Sequence, residues 1–214
     1  MLATMHGRQR RWEPTPWLTP ALAFVVGWTG PMAAHAAPFN EGDWAERSRA
    51  VLAPFKAELA ATLRQGLEQG SEHAIRVCQV QAPTLGAQFS GEQVEVGRTS
   101  HRLRNPDNRP RDWIQPLLED QLTDPESRES RVVRLPDGGV GYVEPIVVQP
   151  LCLTCHGASL DSATTTALRE RYPNDEATGF RLGEFRGLFW VQWAESAALT
   201  PPAEPARRHP QAAD

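Results

Sequence analysis

Residues 131–157, RVVRLPDGGVGYVEPIVVQPLCLTCHG, constrain the fold more than any other stretch. Two runs of β-forming residues flank an Asp-Gly pair, the pattern of an antiparallel hairpin whose turn needs a residue tolerant of positive φ. The second run, 139–148, leaves no room for a linker before Pro150. It therefore feeds a strand end straight into a tight turn carrying Cys152, Cys155 and His156.

The remaining elements follow from apolar periodicity. Leu52, Phe55, Leu59, Leu63 and Leu67 recur at steps of three and four, which predicts a long helix over about 44–68. A second helix is expected over about 73–89, disturbed at Pro83, with Ile75, Cys78, Ala82, Leu85 and Phe89 on its inner face. QVEVGRTS (93–100) alternates as a strand does, and HRLRNPDNRP is a loop. DWIQPLLEDQL reads as a short helix interrupted at Pro116, DSATTTALRERYP as another, and 186–194 as a last strand. Helices first and strands afterwards make an α+β fold with an antiparallel sheet.

The ends have a different character. Arg8, Arg10 and Arg11 precede the apolar run LTPALAFVVGW, and Ala34-His35-Ala36 supplies small residues for a cut, so 1–36 is expected to be a secretory signal. That run falls far short of the roughly 20 residues a bilayer requires. Cleavage removes three arginines and Glu13, taking the net charge from −4 to −6, and leaves no membrane span. Residues 37–198 are expected to form one domain and 199–214, rich in Pro and Ala, a disordered tail. The mild acidity, without blocks of like charge, excludes a nucleic-acid binder.

Export changes how the three cysteines are read, because thiols outside the reducing cytoplasm tend to oxidise. C-x-x-C-H is the attachment signature of c-type haem: two thiols link one porphyrin and the adjacent imidazole lies under its iron. Cys152 and Cys155 are therefore the candidate covalent sites for one haem c, and His156 the candidate axial ligand. A redox-active C-x-x-C would call for a thioredoxin-like βαβ setting, whereas this pair follows a hairpin strand. A zinc site from Cys78, Cys152, Cys155 and His156 has suitable ligand types, but adjacent Cys155 and His156 converge poorly on one ion.

Met1, Met5 and Met32 all lie in the signal, so the mature chain offers no methionine as a second axial ligand. Cys78, His73, His101, His209, Lys56 or an open site remain. At ~100° per residue His73 lies some 140° around the helix from Cys78, off the apolar stripe. Cys78 combines an inward position with a ligating atom. It is equally the small buried apolar residue that a free cysteine often is. Arg98, Arg102 and Arg104 are candidate partners for haem propionates, since guanidinium matches carboxylate geometry. The alternative for them is a solvated, loop-borne cluster. Tyr142 and Trp190 read as core residues, and Glu119-Asp120 and Asp175-Glu176 as solvated turns.

AIRVCQVQAP (74–83), VGRTSHRLRNPDNRP (96–110), YVEPIVVQPLCLTCHG (142–157) and RERYPNDEATGFRLGEFRG (169–187), in this order, resemble a family of exported single-haem c-type cytochromes with a PAS-like fold. The resemblance spans roughly residues 44–194. It implies a PAS-like antiparallel sheet with flanking helices and a long N-terminal helix, with Cys78 and His156 as the two axial ligands.

Thiolate ligation favours ferric iron, so a lower reduction potential is expected than for histidine/methionine cytochromes. Loosening of the iron–sulfur bond on reduction would admit a diatomic gas and move the second helix. The function expected is a periplasmic, haem-based redox or gas-responsive sensor-like module with a redox or signalling protein partner. The alternative is a monohaem, low-potential electron carrier. A peroxidase would need an open distal face, which Cys78 would block, so no enzymatic activity is expected.

Overall fold

The computed structural model describes residues 39–124 and 128–199. The leader expected over 1–36 lies outside the described residues, as does the expected tail beyond Leu199.

Helix α1 (Glu41–Glu68) begins where the Asn40 side chain accepts a hydrogen bond from the Gly42 N–H at 2.9 Å. Glu41 and Asp43 occupy its first turn, where the helix dipole favours carboxylates. It buries Trp44, Ser48, Leu52 and Phe55, at steps of three and four. Toward its C-terminus the stripe weakens, and Leu59, Leu63 and Leu67 are only half-buried. Helix α2 (Ser71–Gln88) packs on α1 and runs through Pro83 without ending.

Four strands follow: β1 (Val94–Thr99), β2 (Arg131–Arg134), β3 (Val140–Val147) and β4 (Phe185–Trp193). They form one antiparallel sheet in the order β1-β4-β3-β2, so β1 and β2 are its edges. The β2–β3 hairpin closes at Gly138 (φ 85°), with Asp137 Oδ1 accepting from the Gly139 N–H at 3.0 Å. Helix α3 (Gln115–Thr123) corrects one expectation. Pro116 lies in its first turn, where a missing N–H costs no hydrogen bond, so it opens the helix instead of interrupting it. The chain then passes through α4 (Leu153–His156), α5 (Ser162–Arg171) and α6 (Glu195–Leu199).

Strand alternation divides the core between the two sheet faces. Val96, Val140, Tyr142, Val191 and Trp193 face Leu52 and Phe55 of α1 and Leu85 of α2. Burying a Leu or Phe side chain of this kind contributes about 1.5–3 kcal/mol. The Trp193 Nε1–H donates to Ser48 Oγ at 2.9 Å, so these two buried groups satisfy each other, while the Tyr142 hydroxyl in the same cluster has no partner among the described residues. Val143 and Leu188, on the opposite face, pack against Ile114 and Leu118. The result is an α+β fold with an antiparallel sheet, flanking helices and a long N-terminal helix, consistent with a PAS-like arrangement. No helix among the described residues is long and apolar enough to cross a membrane.

Candidate functional site

Strand β3 ends at Val147, and a 3-10 turn over Pro150–Cys152 leads directly into α4. Val148 is stitched to the following hairpin-like loop by its N–H to Glu184 O and by the Gly183 N–H to its own carbonyl, both at 2.9 Å. Cys152 and Cys155 are free thiols three residues apart on a helical stretch, a spacing that shares one face. Cys155 is buried among Ile75 of α2 and Ala167 and Leu168 of α5. Cys152 is half-buried beside Val148, Ala177 and Phe180.

His156 Nδ1 lies 2.6 Å from the carbonyl oxygen of Ala177. A carbonyl can only accept, so the proton sits on Nδ1 and the lone pair on Nε2, the tautomer of a metal-ligating histidine. Burial holds the His156 pKa well below its ordinary 6.5, with Arg104, Arg186 and Arg98 pushing the same way and the Ala177 bond opposing them. The ring is thus kept neutral.

Cys78 is half-buried on α2, one turn beyond Ile75. Burial raises its thiol pKa, while the positive charges of Arg98 and Arg104 favour the thiolate. Cys78 and Cys155 are near enough that charge on Cys78 disfavours charge on Cys155. A cleft of about 860 Å³ opens beside Cys78, between α2, the edge strand β1, the loop over 105–112, Tyr172 and Trp190. Gly97 forms part of its floor: a Cβ there would meet the Trp190 ring at 2.3 Å, so only glycine lets the indole lie across the strand. Cys152, Cys155 and His156 are not on this wall; the link runs through Tyr172, which lines the cleft and packs with the cluster holding Cys155.

The three candidate arginines occupy different situations. Arg98 lines the cleft and has no hydrogen-bond or ion-pair partner among the described residues. Solvent reaches it through the cleft, yet protein surrounds it closely enough that burial lowers its pKa. Arg102 donates from Nε to Glu176 O at 3.0 Å and stacks over Phe180 at 4.1 Å. Arg104 donates to Asp175 Oδ2 at 3.0 Å and to Cys155 O at 2.6 Å. Of the three, Arg98 alone has every guanidinium donor free for a ligand carboxylate, whereas Arg102 is tied through Nε and Arg104 through Nε and Nη2.

Several residues at the site were not legible in the sequence. Arg186 is half-buried, donates to Ser100 Oγ and to Arg102 O, and has its pKa lowered to about 10, first by burial and then by Arg98 and Arg104. It stays charged at neutral pH. Phe180 meets the rings of both His101 (5.9 Å) and His156 (6.3 Å). Asp175, expected in a solvated turn, is an ion-pair partner whose side chain is only 8% exposed. His101, expected in a polar loop, stacks on Phe185 at 6.0 Å and 7°, and its Nδ1 is buried without a partner. Trp190 is half-buried on the cleft wall, whereas Tyr142 is fully buried. The signal for Asp175 was the RERYPNDEATGF stretch itself, but its partner lies some seventy residues away.

Other donors named from the sequence are occupied or distant. Lys56 pairs with Glu144, and His73 lies 3.1 Å from Arg76; His209 is outside the described residues. Among the described residues no group of three or more His, Cys, Asp or Glu converges as an ion site, unlike the gathered ligands of structural zinc. The donor set does fit haem. Two free thiols share a face, a neutral imidazole has Nε2 free, a third thiol lies beside a cleft, and an unpaired guanidinium lines it. The volume is in the range of cofactor sites.

Compared with known proteins, residues 9–193 match the model of a family described as Tll0287-like. The fold is similar to the crystal structure of the cyanobacterial heme-protein Tll0287, at a TM-score of 0.51 and 22% identity, over 78% of this chain and 100% of that one. At that identity the likeness speaks for the fold alone. No match was found among curated proteins.

Proposed function

The chain belongs to the Tll0287-like family, and on that premise we propose that it is an exported c-type haem protein acting as a redox or gas-responsive sensor-like module. Cys152 and Cys155 would hold one haem covalently, His156 Nε2 and Cys78 Sγ would be the axial donors, and Arg98 would face a propionate. The observation that carries the reading is the His156 Nδ1 to Ala177 O contact, which leaves Nε2 as the free donor directly beside the C-x-x-C pair. The heme-protein relative supports the cofactor class. Haem, when bound, supplies a reversible one-electron couple and an iron able to take a diatomic gas in its reduced state.

The chain's own residues supply the switch. Burial raises the Cys78 thiol pKa and favours the protonated sulfur, with Arg98 and Arg104 opposing it; the thiolate donor would therefore form only when iron holds it, and a released sulfur would return to the thiol. Because Cys78 is carried by α2, and α2 packs on α1, release of the sulfur would be transmitted to the long helix. The alternative reading, an electron carrier, is favoured by Leu151, which is 43% exposed beside half-buried Cys152 and would leave the attachment edge open to a partner.

The test is expression in a host competent in cytochrome maturation. Haem stain should survive denaturing electrophoresis and vanish in Cys152→Ala/Cys155→Ala; an unstained wild-type band overturns covalent attachment. Spectra of Cys78→Ala should lack the thiolate signature of the oxidised wild type. Binding of carbon monoxide by the reduced wild type supports the gas-responsive reading, and an unchanged spectrum supports the carrier. N-terminal sequencing of the secreted chain should begin at Ala37.

A further inference from the structure

Two stretches, SHRLR (100–104) and DEATGF (175–180), carry no cysteine and neither of the candidate axial donors, yet they meet around His156. The Glu176 N–H donates to Leu103 O at 2.9 Å, and Arg102 Nε donates back to Glu176 O at 3.0 Å. Arg104 Nε donates to Asp175 Oδ2 at 3.0 Å, and the other oxygen of that carboxylate, Oδ1, accepts from the Ala177 N–H at 2.8 Å. Arg104 Nη2 reaches Cys155 O at 2.6 Å and Ala177 O at 3.4 Å. The backbone of the same strap then closes on the turn: the Gly179 N–H donates to Gly157 O and the Phe180 N–H to His156 O, both at 2.9 Å.

Ala177 O, the acceptor of the His156 ring proton, is thereby immobilised from both sides. Its own residue is fully buried, and the Arg104–Asp175 pair that holds it is 14% and 8% exposed. One guanidinium spans the carboxylate on the strap and the carbonyl of Cys155 on the turn. Only a planar fork can do both at once; a lysine ammonium is a point donor on a flexible stem.

We propose that Arg104 and Asp175 form a positioning pair that fixes the Ala177 carbonyl against His156 Nδ1, and so sets the orientation and donor strength of Nε2. This makes Arg104 a part of the imidazole's hydrogen-bonded support and removes it from the set of ligand-facing cations. The proposal rests on His156 being an axial donor for its redox consequence, but the clamp itself is a property of the polypeptide. Outer-shell partners of this kind raise the basicity of a ligating imidazole, and losing them typically weakens metal affinity by about 10–100-fold. A weaker donor favours ferric iron less, so the reduction potential should rise when the clamp is loosened.

The test uses the full chain with Arg104→Lys and Asp175→Asn, both near-isosteric, and Arg131→Ala as a control at the exposed pair with Asp120. In the haem-free chain, nitrogen NMR of His156 should show a protonated, slowly exchanging Nδ1 in the wild type and control, and fast exchange in both clamp variants. In the haem-loaded chain the midpoint potential should rise in both variants and stay put in the control. Unchanged Nδ1 exchange and unchanged potential in both variants, whatever happens to the unfolding temperature, would overturn the proposal. Fast Nδ1 exchange in the variants of a wild type that takes no haem would uphold the clamp while defeating the haem reading.

Discussion

Replacing Arg98 with methionine keeps the length of the side chain and removes its charge, and the outcome should change sign with the cofactor. In the haem-free chain Arg98 has no protein acceptor and shares its surroundings with Arg104, whose charge adds to burial in lowering its pKa. It also presses on Arg186. Removing it relieves repulsion, and because solvent in the cleft screens that repulsion, the gain is about 1 kcal/mol or less. With haem attached, the guanidinium would be hydrogen-bonded to a propionate, and losing a bond to a charged partner costs about 1.5–3 kcal/mol. A haem linked through Cys152 and Cys155, as proposed, would stay on the chain when it unfolds, so no free-ligand concentration would enter the balance. Urea denaturation of the haem-free and haem-loaded full chains, wild type and Arg98→Met, measures both terms. A similar loss in both forms would refute the reasoning, since it would mean that Arg98 serves the polypeptide and not a ligand.

Gly97→Ala should crowd the Trp190 ring, destabilise the chain by about 1–3 kcal/mol and lower the yield of haem-loaded protein, measured by urea unfolding and haem stain. An unchanged unfolding midpoint would mean that Trp190 moves freely. The pKa of His101 is held below 6.5 by burial and by Arg186 and Arg102, against Glu184. The unfolded chain therefore binds more protons once the pH falls through about 6.5, so this contribution to stability is full above that value and is lost on acidification. His101→Gln should flatten the fall of the urea midpoint between pH 7 and 5, and an unaltered slope would assign it to other groups.

Much of the scaffold was legible because it depends on neighbours in the chain. The α1 stripe, the Asp-Gly turn and the run of β3 into Pro150 are local patterns of period and turn chemistry, and each appears where those patterns put it. Pro116 was misread because proline's missing N–H is harmless in the first turn and harmful in the interior, and the helix start is set by what precedes it. Cys152, Cys155 and His156 could be singled out because rare residue types in a fixed register carry chemistry by themselves, whereas Cys78 stood out by its helix face and by the family resemblance. Asp175 and His101 could not: both look like surface residues, and what buries them is Arg104 in the one case and Phe185 in the other, supplied from remote segments.

From its residues alone this chain determined the order of its elements, the alternation of its strands and the identity of its candidate thiol and imidazole donors. Those properties arise within a few bonds along the backbone. Only the tertiary structure decided which arginine stays free, which carbonyl orients His156 and how a strap from 175–180 grips the turn at 155–157. The reason is physical: a carbonyl is present at every residue and an arginine can pair with any carboxylate, so which of them meet is settled by packing across the fold.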